Sequence, residues 1–151
     1  TQILNLAPEY VPGVYSIMAL VALVTTFFSK KFIHTSKIKK SLFLLYTSTF
    51  IFMAIFAFSK SLLLAIFVLV AFNIGKIVID ILEESALQHG FSSKIRASLG
   101  SINSINWAIS HSIGVFLAGL GIKFFGITET ILASSVLMLI TGIIYLLGLR
   151  K

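Results

Sequence analysis

The sequence contains no cysteine, two prolines and five acidic residues in 151 positions. Without cysteine there is no disulfide and no thiol-based metal site, and nothing follows about compartment. The prolines, Pro8 and Pro12, both lie near the start. Residues 1–11 are mixed and read as a loop, and Pro12 suits a first helical turn, where its missing N–H costs nothing. The spacings of familiar catalytic centres are also missing. There is no His-x-x-x-His pair, no Gly-x-Ser-x-Gly elbow and no glycine-rich phosphate loop followed by Lys-Ser/Thr. A membrane-embedded hydrolase built on His111 and Asp80 has no spacing to support it. The expectation is a protein that is not an enzyme and carries no cofactor.

What the chain has in excess is hydrocarbon. It is 58% hydrophobic and 11% charged, with a mean hydropathy of +1.04, outside the range of soluble domains of this length. The net charge of +7 would suit nucleic acid if it formed a surface stripe. Here the basic residues sit between apolar runs, so they are topology signals and the expected partner is a lipid bilayer, not nucleic acid.

Five membrane spans are expected, over residues 13–29, 41–59, 61–82, 99–123 and 131–149, in a single membrane domain covering residues 1–151. About 20 residues cross a ~30 Å hydrocarbon core, and each run is near that length. Between the first two lies KKFIHTSKIKK, with five lysines and no acid. The second span is dense in phenylalanine on all sides, which suggests a lipid-facing outer helix. Lys60 makes a tight turn into the third. Residues 83–98 form a second connection, with Gly90 as a helix stop and Ser92 or Ser93 as an N-cap, and GITET turns the chain before the last span. His34 and His89 fall in connections and are expected to be solvated. Lys30, Lys31, Lys37, Lys39, Lys40, Lys94, Arg96, Arg150 and Lys151 fall on one side, and Lys60 and Lys123 on the other. Nine against two puts the N-terminus outside and the C-terminus in the cytoplasm.

The stretch from Leu62 to Gly114 organises the rest. It admits Asn73, Lys76 and Asp80 into one apolar helix, and Asn103, Asn106, Trp107 and His111 into the next. A central Lys or Asp costs roughly 2.5–3.5 kcal/mol on insertion scales, so such groups face protein, water or each other. Two adjacent helices with facing polar stripes suggest a pathway between them. Lys76 and Asp80 are four apart and can pair. Lys76 lies roughly 22 Å from the outer end of the ~30 Å core, where it can partly snorkel. With Glu83, Glu84 and Arg96 the pair reads either as a cytoplasmic-side ion cluster or as part of a substrate or proton path. On the fourth span Asn103, Trp107, Ser110, Gly114, Ala118 and Gly121 recur at three- and four-residue steps, a stripe that admits a close helix neighbour. Ser104, Ala108, His111 and Val115 mark a neighbouring face, with Asn106 a little further round. His111 reads as a hydrogen-bonded core histidine or a proton-handling group.

This order of features resembles the C-terminal half of a major facilitator superfamily transporter without its first helix. Residues 13–29 would match the eighth of twelve helices and residues 131–149 the twelfth. SKKFIHTSKIKK sits where that family carries a Gly-x-x-x-Asp-Arg-x-Gly-Arg-Arg-like element; here the basic residues are present, and the aspartate and both glycines are not. SSKIRASLGSINS resembles the cytoplasmic start of the eleventh helix, and SIGVFLAGLGIKFFG its glycine-rich exit, with Val115 in place of the usual proline after the first glycine. The family keeps both termini inside, so a piece with its N-terminus outside has lost an odd number of helices. Thr1 is not a methionine and no signal peptide precedes the first span, which fits a piece of something longer. The resemblance implies a secondary active transporter that moves a small solute by alternating access, coupled to an ion, commonly protons, with efflux preferred over uptake. It also implies a missing N-terminal half, without which one cavity wall would face lipid. The contrasting expectation is a free-standing five-span structural subunit that packs on larger membrane partners.

Overall fold

A computed structural model describes residues 11–29, 38–90 and 93–148. The expectations placed on residues 1–10, on the lysine-rich segment with His34, on Ser92 as a cap, and on Arg150 and Lys151 lie outside the described residues. So do the side chains of His89, Lys94 and Arg96. The described residues are all-α, in five helices: α1 Val11–Ser29, α2 Ile38–Phe58, α3 Leu62–Gly90, α4 Ser93–Phe125 and α5 Ile127–Gly148. Each contains a stretch long and apolar enough to cross a bilayer. The chain has the architecture of a multi-pass membrane protein. With α3 at 29 residues and α4 at 33, a rise of 1.5 Å per residue carries both well beyond a ~30 Å core.

The helices extend past the apolar windows that announced them. α2 takes in Ile38, Lys39 and Lys40, and most of the connection over residues 83–98 is helix, ending on Gly90 and restarting at Ser93. GITET is not a loop. The turn is Gly126 alone, whose φ of 98° lies in the left-handed region open to glycine. Thr130 then bonds its hydroxyl back to the Gly126 carbonyl at 2.6 Å, and Glu129 places an acid in the first turn of α5, where the helix dipole favours it. The tight turn at Lys60 is as expected: only Ser59, Lys60 and Ser61 separate α2 from α3.

The second correction concerns which helix is central. α2 is the hub and not an outer helix, packing against both α3 and α5, while α3 also carries α1. Its buried residues, Leu42, Tyr46, Thr49 and Ala57, keep to one helical stripe. Phe43, Phe50, Phe52 and Phe56 occupy the flanks of that stripe, and Phe58 is exposed. Leu42 and Tyr46 meet Ile79 and Leu82 of α3 in the main apolar cluster, with Met138 and Tyr145 of α5 against it. Between apolar helices in lipid, association rests on close packing, and small residues permit it. Each of three interfaces has one. A Cβ on Gly75 would stand 3.0 Å from the Thr49 methyl, on Gly142 2.7 Å from the Tyr46 Cβ, and on Gly121 2.9 Å from the Thr130 hydroxyl.

α4 is the exception. It meets α5 beside the Gly126 turn, and residues 101–117 are exposed without interruption. The expectation that the polar stripes of α3 and α4 face one another is not met. α3 is turned toward α1 and α2, and α4 stands off the bundle.

Candidate functional site

On α3 the steps from Asn73 to Lys76 to Asp80 are three and four residues, which holds them to one face. Asn73 turns toward α1 and donates an amide N–H to the thioether of Met18 at 3.3 Å, a weak acceptor. One turn on, the Lys76 ammonium and the Asp80 carboxylate form an ion pair. The pair allowed by the four-residue spacing is therefore made, and it neutralises two charges that α3 would otherwise carry singly.

Glu83 goes elsewhere. It accepts the Tyr46 hydroxyl of α2 at 2.6 Å. Tyr145 of α5 stacks on the Tyr46 ring, with centroids 5.8 Å apart and planes 15° from parallel. Three helices thus meet at the Tyr46 side chain, which α3 holds through Glu83 and α5 through Tyr145. Glu84 is exposed on the adjoining surface. The sequence groups Glu83 with Asp80, Glu84 and Arg96 and singles out neither tyrosine. The available signal was the spacing of Leu42, Tyr46 and Thr49, which puts Tyr46 in the middle of the α2 stripe and aims its hydroxyl inward.

On α4 the candidates Asn103, Asn106, Trp107, Ser110 and His111 are all exposed. Trp107 and His111 are brought together: their rings stack with centroids 5.1 Å apart and planes 4° from parallel. Ser104 and Ser112 satisfy their hydroxyls on the carbonyls of Gly100 and Ala108, at 3.0 and 2.9 Å. The amides of Asn103 and Asn106 have no partner among the described residues. Of the small-residue stripe, Gly114 faces open space, while Ala118 is half-buried and Gly121 closes on Thr130 of α5.

The chemistry these groups can perform is binding and proton exchange. Asn103, Asn106, Trp107 and His111 offer donors, acceptors, an aromatic face and an imidazole that can carry a proton. Among the described residues no three His, Asp or Glu side chains gather as metal ligands. The groove at the α2–α3 turn, lined by Ala54, Ile55, Phe58, Lys60 and Leu64, is apolar and open and holds none of the candidates. Comparison with models of protein families, with curated proteins and with solved structures finds no match to this chain.

Proposed function

We propose that this chain is the C-terminal part of a secondary active transporter. It moves a small solute by alternating access, coupled to an ion such as the proton, in the direction of efflux. The observation that carries the reading is α4. A helix apolar enough to cross the bilayer over Gly100–Phe125 exposes two asparagines, a Trp–His stack and Ser110 on its surface. In hydrocarbon, unpaired polar groups cost several kcal/mol each on the order of magnitude of amide transfer. The face belongs against protein or water. A second set of helices closing over it, the missing N-terminal half, leaves a polar cavity between the two, with α4 as one wall and the bundle of α1, α2, α3 and α5 behind. The excess of lysine and arginine at the end of the bundle holding Ile38 and Gly148 makes that end cytoplasmic.

The test is accessibility. The chain has no cysteine of its own, so a single cysteine placed in it, within a full-length transporter made otherwise free of cysteine, reports cleanly. Cysteines replacing Ser104, Trp107 and His111, which share one face of α4, are expected to react with a membrane-impermeant thiol reagent and to be protected by transported solute. Cysteines replacing Ile105 or Phe116 should stay unreactive. Uniform silence along α4 sinks the transport reading. The open space at Gly100, Gly114 and Gly119 favours the second reading in that event, a structural subunit whose α4 is gripped by a close-packed partner helix with no cavity between them.

A further inference from the structure

The groove at the α2–α3 turn takes no part in the α4 face or in the transport reading. Its volume is about 660 Å³, within the range of small-molecule sites. The walls are Ala54, Ile55 and Phe58 of α2 and Leu64 of α3, all within stretches apolar enough to cross a bilayer. The rim is the turn itself, Ser59, Lys60 and Ser61. That turn is fixed from within. Ser59 donates its N–H to the Phe56 carbonyl at 3.0 Å and its hydroxyl to the Ser61 carbonyl at 3.1 Å. Lys60 and Ser61 are exposed, and neither side chain has a partner among the described residues. An ammonium thus stands over hydrocarbon walls at the junction of two spans, the level of the bilayer where lipid headgroups lie.

We propose that this groove holds a phospholipid of net negative charge. Its phosphate meets Lys60 and the Ser61 hydroxyl, and one acyl chain runs along Ala54, Ile55, Phe58 and Leu64. Charge selects this occupant over others. Lys60, Lys123 and Glu129 are the described charges at this end of the bundle, so the chain offers one acid there against two cations. Lys123 lies over the Phe124 ring, which leaves Lys60 in want of an anion. A zwitterionic lipid brings a cation of its own beside the phosphate. A second copy of the chain docked about a two-fold axis here would set Lys60 against Lys60. The proposal needs only a bilayer around the helices and stands whatever the bundle carries.

The test reads which lipid lies in the groove. Ile51 is exposed and one helical turn from Ile55 on the same face of α2, so an acyl chain leaving the groove passes it. The chain has no cysteine, and Ile51→Cys carries a fluorophore in discs of phosphatidylcholine. Brominated phosphatidylglycerol or brominated phosphatidylcholine is added as quencher. Half-quenching is expected at a roughly fivefold lower fraction of phosphatidylglycerol, the preference that one lysine near a membrane surface supplies. At Leu137→Cys, on the exposed side of α5, the two lipids should quench alike. Lys60→Gln should abolish the preference at Ile51, and Lys60→Arg should keep it. Equal quenching at Ile51 in the parent overturns the proposal. So does a preference that survives in Lys60→Gln, or one that is as large at Leu137. If Lys60→Gln does not fold, salt decides on the parent: about 1 M salt shortens the reach of an exposed charge to about 3 Å. A preference that falls toward one supports the site, and an unchanged preference refutes it.

Discussion

Lys76 and Asp80 illustrate how much a four-residue spacing can say about an apolar helix. Each alone is a charge in a place that penalises charge; together they form an ion pair whose side chains are 40% and 55% exposed within the chain. Removing one partner strands the other, while removing both is milder. In the full-length protein Lys76→Met is expected to lower the yield of folded protein, and Asp80→Asn added to it to restore part. The coupling should be roughly 0.5–1 kcal/mol, at the low end for contacting residues because neither side chain is enclosed. Additive losses in a double-mutant cycle would mean the two do not support each other. His111 poses a different question, since its ring lies on Trp107 and Asn106 points away from it. Five residues apart, Asn106 and His111 diverge by about 140° on the helix. With the cavity on the His111 side, His111→Gln should leave expression intact and change the pH dependence of transport, because an imidazole can exchange a proton and an amide cannot. Wild-type behaviour of His111→Gln between about pH 5.5 and pH 8, beside an altered solute affinity in Asn106→Ala, would place the cavity on the other face.

At the scale of the helix, apolar runs and their punctuation made all five helices legible, because bilayer thickness and hydrophobicity act on the sequence directly. Helix ends were less legible. Polar residues such as Lys39, Lys40 and Glu84 continue a helix beyond the core as easily as they leave it, and one left-handed Gly126 replaces the loop that GITET suggests. Which helix lies at the centre was not legible from aromatic content. Phenylalanine is apolar toward lipid and protein alike, whereas the small and hydroxyl side chains of α2 have a reason to face protein only. That is why Thr49, fully buried, with its hydroxyl on the Tyr46 carbonyl at 2.8 Å, is better evidence of the hub than five phenylalanines. The close approach at Gly142 gives a direct measurement. An added methyl there meets the Tyr46 Cβ at 2.7 Å, and a Cβ bound to a packed helix cannot rotate out of the way. Gly142→Ala is expected to destabilise the bundle by about 1–3 kcal/mol, the range for overpacking, read as a lower midpoint in thermal or denaturant unfolding in detergent. An unchanged midpoint would mean that α2 and α5 are not in this register.

The molecule as a whole is a hub of three helices, a fourth laid on α3, and α4 standing apart. The candidate residues divide along the same line. Those on α3 are held by an ion pair, a thioether and a tyrosine, and Asn103, Asn106, Trp107, Ser110 and His111 of α4 stand exposed among the described residues. Sequence reasoning found the α4 residues because polar groups in an apolar run are conspicuous. It placed them opposite α3 because adjacency in sequence stood in for adjacency in space, and a one-residue turn into α5 is what decides otherwise. The consequence is testable with glycines that meet nothing within the chain. Gly114 and Gly119 have open space where a Cβ would go, and alanine in a helix interior is favoured over glycine by roughly 0.5–1 kcal/mol. For the chain alone in detergent, Gly114→Ala should therefore be neutral or slightly stabilising. If the proposed second half exists, the same substitution falls where its helix approaches α4. There it should cost stability or transport, and Gly114→Leu more so, since small residues at such seams set the distance of approach. The comparison of one variant in two settings separates a helix that faces lipid from one that is covered. If Gly114→Leu is as well folded and as active as the parent in the native membrane, α4 has no partner on that face, and its asparagines and Trp–His pair must be explained by lipid headgroups or water alone.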